Sequence, residues 1–120
     1  MFKSELPSVF YINSKKYSAS SELSYLLRNV VSHIRYEWDE LVFLCIGSDR
    51  ITGDSLGPLV GHLLSRHNWP HIHVYGTLKN PVHALNLEEI TRQIKARHPL
   101  ALIIAIDASL GSKKHIGFIT

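Results

Sequence analysis

Two uninterrupted apolar runs, Leu41-Val42-Phe43-Leu44-Cys45-Ile46 and Leu100-Ala101-Leu102-Ile103-Ile104-Ala105-Ile106, most limit what this chain can become. Neither alternates apolar with polar residues, so neither suits a sheet with one wet face. Such runs fit strands buried on both sides. A shorter strand is expected at 71–75, bounded by Trp69-Pro70 before it and Gly76 after it. Between the strands the apolar residues change to helical spacing. Leu56, Leu59, Val60, Leu63 and Leu64 define a helix that tolerates Pro58 in its first turn. Asn86 and Glu89 have capping-box spacing ahead of another helix, which runs to about residue 97 and is closed by Pro99. Buried strands alternating with helices imply a mostly parallel sheet covered on both faces, a three-layer α/β sandwich.

The flanks are less constrained. Val9-Phe10-Tyr11-Ile12 suggests a short edge strand, followed by a polar turn at Asn13-Ser14-Lys15-Lys16. Ser20 reads as a helix N-cap with Glu22 in the first turn, where the positive end of the helix favours it. Leu23, Leu26, Leu27, Val30, Val31 and Ile34 then recur at helical spacing, so 20–37 is expected to be an amphipathic helix. Residues 116–119 open a further strand. The whole reads as one α/β domain over 1–120, with a variable segment 1–40 that carries the first helix and a core over 41–120.

Composition narrows the function. The formal charge is +3, but the 13 basic residues are scattered. No Lys/Arg block of the kind that tracks phosphates is present, so no nucleic-acid partner is expected. No apolar run reaches membrane-spanning length and no basic-then-apolar leader opens the chain, so no membrane partner is expected and the location is read as cytoplasmic. A single cysteine, Cys45, excludes an intramolecular disulfide and sits where a thiol acts as a small hydrophobe.

Parallel sheets bind ligands beyond the carboxyl ends of their strands. Three loops leave such ends: 47–55, 76–83 and 107–112. Asp107 directly follows a strand, and Asp54 stands just before a helix. Two carboxylates brought to one edge resist simultaneous ionisation, which equips one as general acid and the other as general base to activate water against an amide. Loop amides near Gly47 and Gly53 are the candidate oxyanion donors. The plainer alternative is that Asp54 caps its helix and Asp107 bonds loop amides. Arg50, beside Asp49, either orients a substrate carboxylate or holds the loop. Asn80 and Pro81 shape a loop that borders the same crevice.

Rival chemistries fit less well. Gly53-Asp54-Ser55-Leu56-Gly57 matches Gly-x-Ser-x-Gly, and Asp107 and His115 follow in triad order. That motif needs its serine on a sharp turn straight after a strand, whereas several polar residues separate Ser55 from the run ending at Ile46. The 47–57 loop lacks both glycine fingerprints of nucleotide sites. Among the 8 histidines, His71 and His73 are expected on one face of a strand, where a paired ligand role competes with ordinary packing.

The stretch Cys45-Ile46-Gly47-Ser48-Asp49-Arg50-Ile51-Thr52-Gly53-Asp54-Ser55-Leu56-Gly57-Pro58-Leu59-Val60-Gly61 resembles the signature of the sporulation protein YyaC family. Val74-Tyr75-Gly76-Thr77-Leu78-Lys79-Asn80-Pro81-Val82-His83-Ala84 and Ile104-Ala105-Ile106-Asp107-Ala108 extend the resemblance. That family is similar to the germination protease, which degrades small acid-soluble spore proteins, and to the hydrogenase maturation endopeptidases. The resemblance implies a phosphorylase/hydrolase-like fold and an aspartate-dependent endopeptidase. Asp54 stands in the Thr-x-Asp-x-Leu-Gly-Pro frame of the family's first acidic residue, and Asp107 in the Ile-Asp-Ala frame of its second. His83 is the candidate third group, with Asp49, Arg50 and Asn80 as candidate substrate contacts. The substrate implied is a protein or peptide, such as a spore protein, met in the forespore or spore interior. No resident cofactor is implied. The alternatives are an inactive sporulation-related binding module of the same fold, or a metal-sensing maturation-type endopeptidase in which Asp54, His83 and Asp107 meet a metal. Against the family pattern the core is expected to be incomplete at its C-terminus. An uncovered apolar face would then favour self-association.

Overall fold

The computed structural model describes residues 9–120. In chain order the elements are β1 (Ile12–Asn13), α1 (Ala19–Ser32), β2 (Glu40–Ile46), α2 (Leu56–Ser65), β3 (Ile72–Tyr75), α3 (Leu87–Arg97), β4 (Ala101–Asp107) and β5 (Phe118–Ile119). The chain divides into two compact units: one of residues up to Tyr36 together with Leu110–Thr120, the other Glu37–Ser109. The first eight residues of the expected 1–40 segment lie outside the described residues.

The larger unit is the expected α/β sandwich. Its parallel sheet has the order β3-β2-β4, so the continuous apolar run of β2 becomes the central strand. Even-numbered residues of β2 face α3. There Val42, Leu44, Val82 and Ile94 form the buried core, flanked by Leu87, Ile90 and Tyr75. The odd face meets α2. The helix lies so close that a Cβ on Gly57 would fall 2.1 Å from the Ile46 carbonyl oxygen, and one on Gly61 would lie 3.3 Å from the Cys45 Cβ. The spacing Gly57-x-x-x-Gly61 therefore puts two side-chain-free positions on the sheet-facing side of α2. β4 is less covered than its sequence suggests. Only Leu102 is buried there and Ala105 is exposed, because β4 has β2 on one side and forms the sheet's edge.

Cys45 is fully buried in β2, and burial pushes its thiol up to about 11. The reactive form is the thiolate. In the native chain Cys45 should therefore resist a disulfide reagent at mildly alkaline pH and react completely once denaturant is added. Native-state labelling at the rate of a free thiol would show that β2 is not the closed centre of the sheet.

The smaller unit departs from expectation in three places. The edge strand expected at 9–12 is confined to Ile12–Asn13, and its partner is β5, to which the strand expected from 116 is reduced. The two pair antiparallel, Ile12 with Ile119 and Asn13 with Phe118, so the last strand belongs to a two-stranded ribbon and not to the parallel sheet. The ribbon is fastened by the Ser14 amide donating to the Gly117 carbonyl at 2.9 Å, and by Tyr11 stacked on His115 with centroids 4.2 Å apart.

The first helix starts at Ala19 behind a Ser18 cap, not at Ser20, with Ser18 Oγ donating to Glu22 Oε2 at 2.5 Å. It stops at Ser32, short of the expected 37. Ser32 Oγ and the His33 ring both donate to the Asn29 carbonyl, at 2.8 and 2.7 Å, and Asn29 Nδ2 donates to the Tyr25 carbonyl. Side chains thus take up the Asn29 carbonyl, and the Val30 and Val31 carbonyls accept the His33 and Ile34 amides in a tightened last turn, so the helix closes before its apolar pattern runs out.

Candidate functional site

The carboxyl end of β2 organises the site. Ile46 forms a parallel bridge to Val82 on one side and pairs with Asp107 on the other. The Gly47 amide donates to the Val82 carbonyl at 2.8 Å, which draws the 76–83 loop against the 47–55 loop. Gly47 itself has φ +152 and no room for a side chain, since a Cβ would lie 2.2 Å from the Asp54 carbonyl oxygen. The two loops enclose a cavity of about 620 Å³ lined by Ser48, Asp49, Arg50, Ile51, Leu78, Lys79, Pro81, His83, Ala84 and Leu85. A volume of this size suits a small ligand or a short stretch of peptide. Its wall combines two cations, one carboxylate and an imidazole with apolar Ile51, Leu78 and Leu85.

Asp54 is half-buried and does not line that cavity. Its carboxylate does not cap α2, whose cap residue is Ser55. Oδ2 accepts the Ser48 amide at 3.0 Å, and the Asp54 carbonyl oxygen accepts the same amide at 2.9 Å. Ser48, buried, turns its hydroxyl to the Arg50 amide at 3.1 Å. The loop is therefore folded back on itself by Ser48 and Asp54, with Asp49 and Arg50 exposed at its tip. Asp107 is the last residue of β4 and is exposed. It stands in register with Ile46, two residues before the amide that holds Asp54. Both aspartates thus belong to the carboxyl edge of the sheet, and neither lines the cavity.

His83 is on the cavity wall, and its backbone is tightly fixed. Its amide donates to Asn86 Oδ1 at 2.8 Å, its Nδ1 accepts the Leu85 amide at 3.2 Å, and its carbonyl accepts the Leu87 amide at 2.9 Å. Asn86 is the cap residue of α3, but its side chain makes no cap bond. It reaches back instead, with Nδ2 donating to the Pro81 carbonyl at 3.1 Å. The expected capping box is therefore absent. Glu89 bonds Arg92 and Gln93 along the helix, and Asn86 is spent on shaping the loop that carries His83. Asn80 closes a turn with Thr77 through its amide and carbonyl and is not part of the cavity wall.

Of the two expected oxyanion donors, the Gly47 amide is already committed to Val82, so it has no free proton for a substrate. Gly53 is exposed with φ +81 and open space around it. Ser55 stands at the start of α2, well past the end of β2, and not on a strand-to-helix elbow.

A second polar cluster lies at the other end of the same sheet. His71 is not in β3. It precedes the strand with φ +63, so it and His73 do not share a strand face as expected. His73 meets Glu40 and His98 instead. Glu40 and His98 were not marked by their sequence context. The signal that finds Glu40 is register: Val42 pairs with His73, which places Glu40, two residues earlier on the same face, beside it.

No helix among the described residues is long and apolar enough to cross a membrane. No solved structure matches the chain. A Bacillus subtilis (strain 168) protein described as "Uncharacterized protein YyaC" is 49% identical over 77 residues, which cover 64% of this chain and 38% of that protein. The chain thus matches well under half the length of that relative. A family described as "Protein of unknown function (DUF1256)" matches residues 11–120, and the chain belongs to that family.

Proposed function

We propose that this chain is the cavity-bearing part of a peptidase in which Asp54 and Asp107 share acid and base duties on a bound peptide. The observation that carries the reading is the common origin of the two carboxylates at the end of β2, where Asp107 pairs with Ile46 and Asp54 holds Ser48. The adjoining cavity supplies a place for substrate. Arg50 and Lys79 would meet acidic side chains or a carboxylate, and Ile51, Leu78 and Leu85 would take apolar ones. His83, on the cavity wall, would orient the peptide, and Gly53 would be the loop amide left for an oxyanion. The similarity to the germination protease read from the sequence makes small acid-soluble spore proteins the first substrates to try, in the forespore or spore interior.

A second reading, a binding module without turnover, is favoured by one observation. The Asp54 carboxylate already has a structural task on Ser48. Cleavage of purified spore proteins by wild type and Asp107→Asn separates the two. Under the peptidase reading the exposed Asp107 carboxylate is essential, and its loss lowers the rate by about 10²–10⁴. Chelators leave the wild-type rate unchanged. Capture of the same proteins without cleavage, equally by both chains, would establish the binding module instead.

A further inference from the structure

Glu40 begins β2, His73 lies in β3, and His98 is the cap residue behind α3, just before β4. All three therefore stand at the amino end of the parallel sheet, on its α3 side and away from the cavity. His73 Nε2 lies 2.8 Å from Glu40 Oε2, and His98 Nδ1 lies 3.1 Å from Glu40 Oε1. Each ring thus addresses a different oxygen of one carboxylate. The three donor atoms all lie within 4.8 Å of one another. The rings sit 4.1 Å apart, tilted by 31°. On its far side His98 Nε2 shares a hydrogen bond of 2.9 Å with the Tyr75 hydroxyl.

We propose that Glu40, His73 and His98 form a zinc site that clamps β2, β3 and the end of α3 together, with Tyr75 fixing the His98 ring. The donor set of two imidazole nitrogens and one carboxylate is one that zinc accepts with a fourth position left open. Imidazole also selects against magnesium and calcium, which take oxygen ligands. A ligating histidine needs its second nitrogen held by a hydrogen-bond partner, and Tyr75 supplies this. With Nε2–H donating to the tyrosine oxygen, the Nδ1 lone pair is left for the metal. The ring is held from its backbone as well, the His98 amide donating to the Ile94 carbonyl at 2.8 Å. The burial is graded in a way that suits entry of an ion. The side chain of His98 is 10% exposed, that of Glu40 24% and that of His73 36%, so the cluster is closed on the α3 side and open past His73.

Without metal, both imidazoles can still be satisfied as neutral donors to the carboxylate. Entry of zinc moves the His98 proton from Nδ1 to Nε2 and the His73 proton from Nε2 to Nδ1. The carboxylate then faces a cation in place of two N–H groups. The hydrogen bonds from His73 first and His98 second hold the Glu40 carboxyl below its ordinary range.

The test uses the full, untagged chain. After dialysis against micromolar zinc, metal analysis should return one zinc per chain, and cobalt(II) in its place should give the intense visible absorption of tetrahedral coordination. His73→Asn removes the most exposed ligand and should weaken zinc at least 100-fold while the chain stays folded. Tyr75→Phe, which touches no metal, should weaken it about 10-fold to 100-fold. His62→Ala and His83→Ala should leave affinity unchanged, the second excluding a site near the cavity. Absence of stoichiometric zinc, tetrahedral cobalt absorption that survives His73→Asn, or loss of binding only in His83→Ala would each overturn the proposal.

Discussion

Gly76→Ala should leave the chain with little or no cooperative native state. Gly76 follows β3 with φ +92, and a Cβ there would stand 1.8 Å from the Cys45 carbonyl oxygen and 2.8 Å from its carbon. Cys45 belongs to the central strand, held between β3 and β4, so its backbone cannot retreat. Nor can Gly76 shift the other way. Its own carbonyl oxygen lies where a Cβ on Gly61 of α2 would come within 1.9 Å. Helix, loop and strand are stacked backbone on backbone through Gly61, Gly76 and Cys45. The forced left-handed conformation costs about 1–3 kcal/mol. The overlap adds about 1–3 kcal/mol, and more where the clashing atoms are main chain. A domain of this size holds only about 5–15 kcal/mol in total. Urea denaturation followed by circular dichroism measures the loss, with Gly111→Ala as the control, since nothing lies within 4 Å of a Cβ at Gly111. An unchanged midpoint for Gly76→Ala would mean that the two backbones do not touch.

Asp54→Asn should separate chemistry from structure. The asparagine Oδ1 can still accept the Ser48 amide, and the residue-54 carbonyl keeps its own bond to the same amide at 2.9 Å. Loss of the charge at a half-buried hydrogen bond costs about 1 kcal/mol or less. The loop around Asp49 and Arg50 therefore keeps its shape. Under the proposed mechanism hydrolysis nevertheless falls by about 10²–10⁴, because a neutral amide neither takes nor gives a proton. Asp54→Ala removes the side-chain acceptor too and should lower the thermal midpoint beyond the asparagine variant. Turnover by Asp54→Asn at the wild-type rate would rule the residue out of the chemistry, whatever its part in the loop.

The parts of the fold legible in the sequence are those where a local pattern and a tertiary role coincide. β2 needed only its unbroken apolar run, because it is enclosed on both faces. The leucines of α2 marked the helix but not its buried face: Leu56, Leu59 and Leu63 are exposed, and Gly57, Pro58 and Gly61 meet the sheet. Where side chains redirect backbone hydrogen bonds, the pattern misleads. Asn29, Ser32 and His33 end α1 inside its apolar stripe, and Asn86 turns from its helix to the Pro81 carbonyl. The β1–β5 ribbon was out of reach because Ile12 and Ile119 come from opposite ends of the chain and neither strand is long enough to announce itself. The loops at the carboxyl edge could be placed from strand order alone, and so could Asp49, Arg50 and His83 near the cavity. Lys79 and Leu85 could not, since their place on its wall depends on how the 76–83 loop is drawn in by Val82. Glu40 needed the β2–β3 register and His98 the packing of the end of α3 beside it, neither of which any single stretch of sequence contains.

The pairing of β2 has a cost that arises before the protein is finished. Its two neighbours both run parallel to it and are reached only after intervening helices, so no tight hairpin can offer it an early partner. On the ribosome, the apolar stretch 41–46 emerges long before β4 exists and must wait with an open edge. Such delay favours sticking to other nascent chains. High-level production of this protein should therefore profit from slow synthesis and abundant chaperones more than from any change to its finished surface.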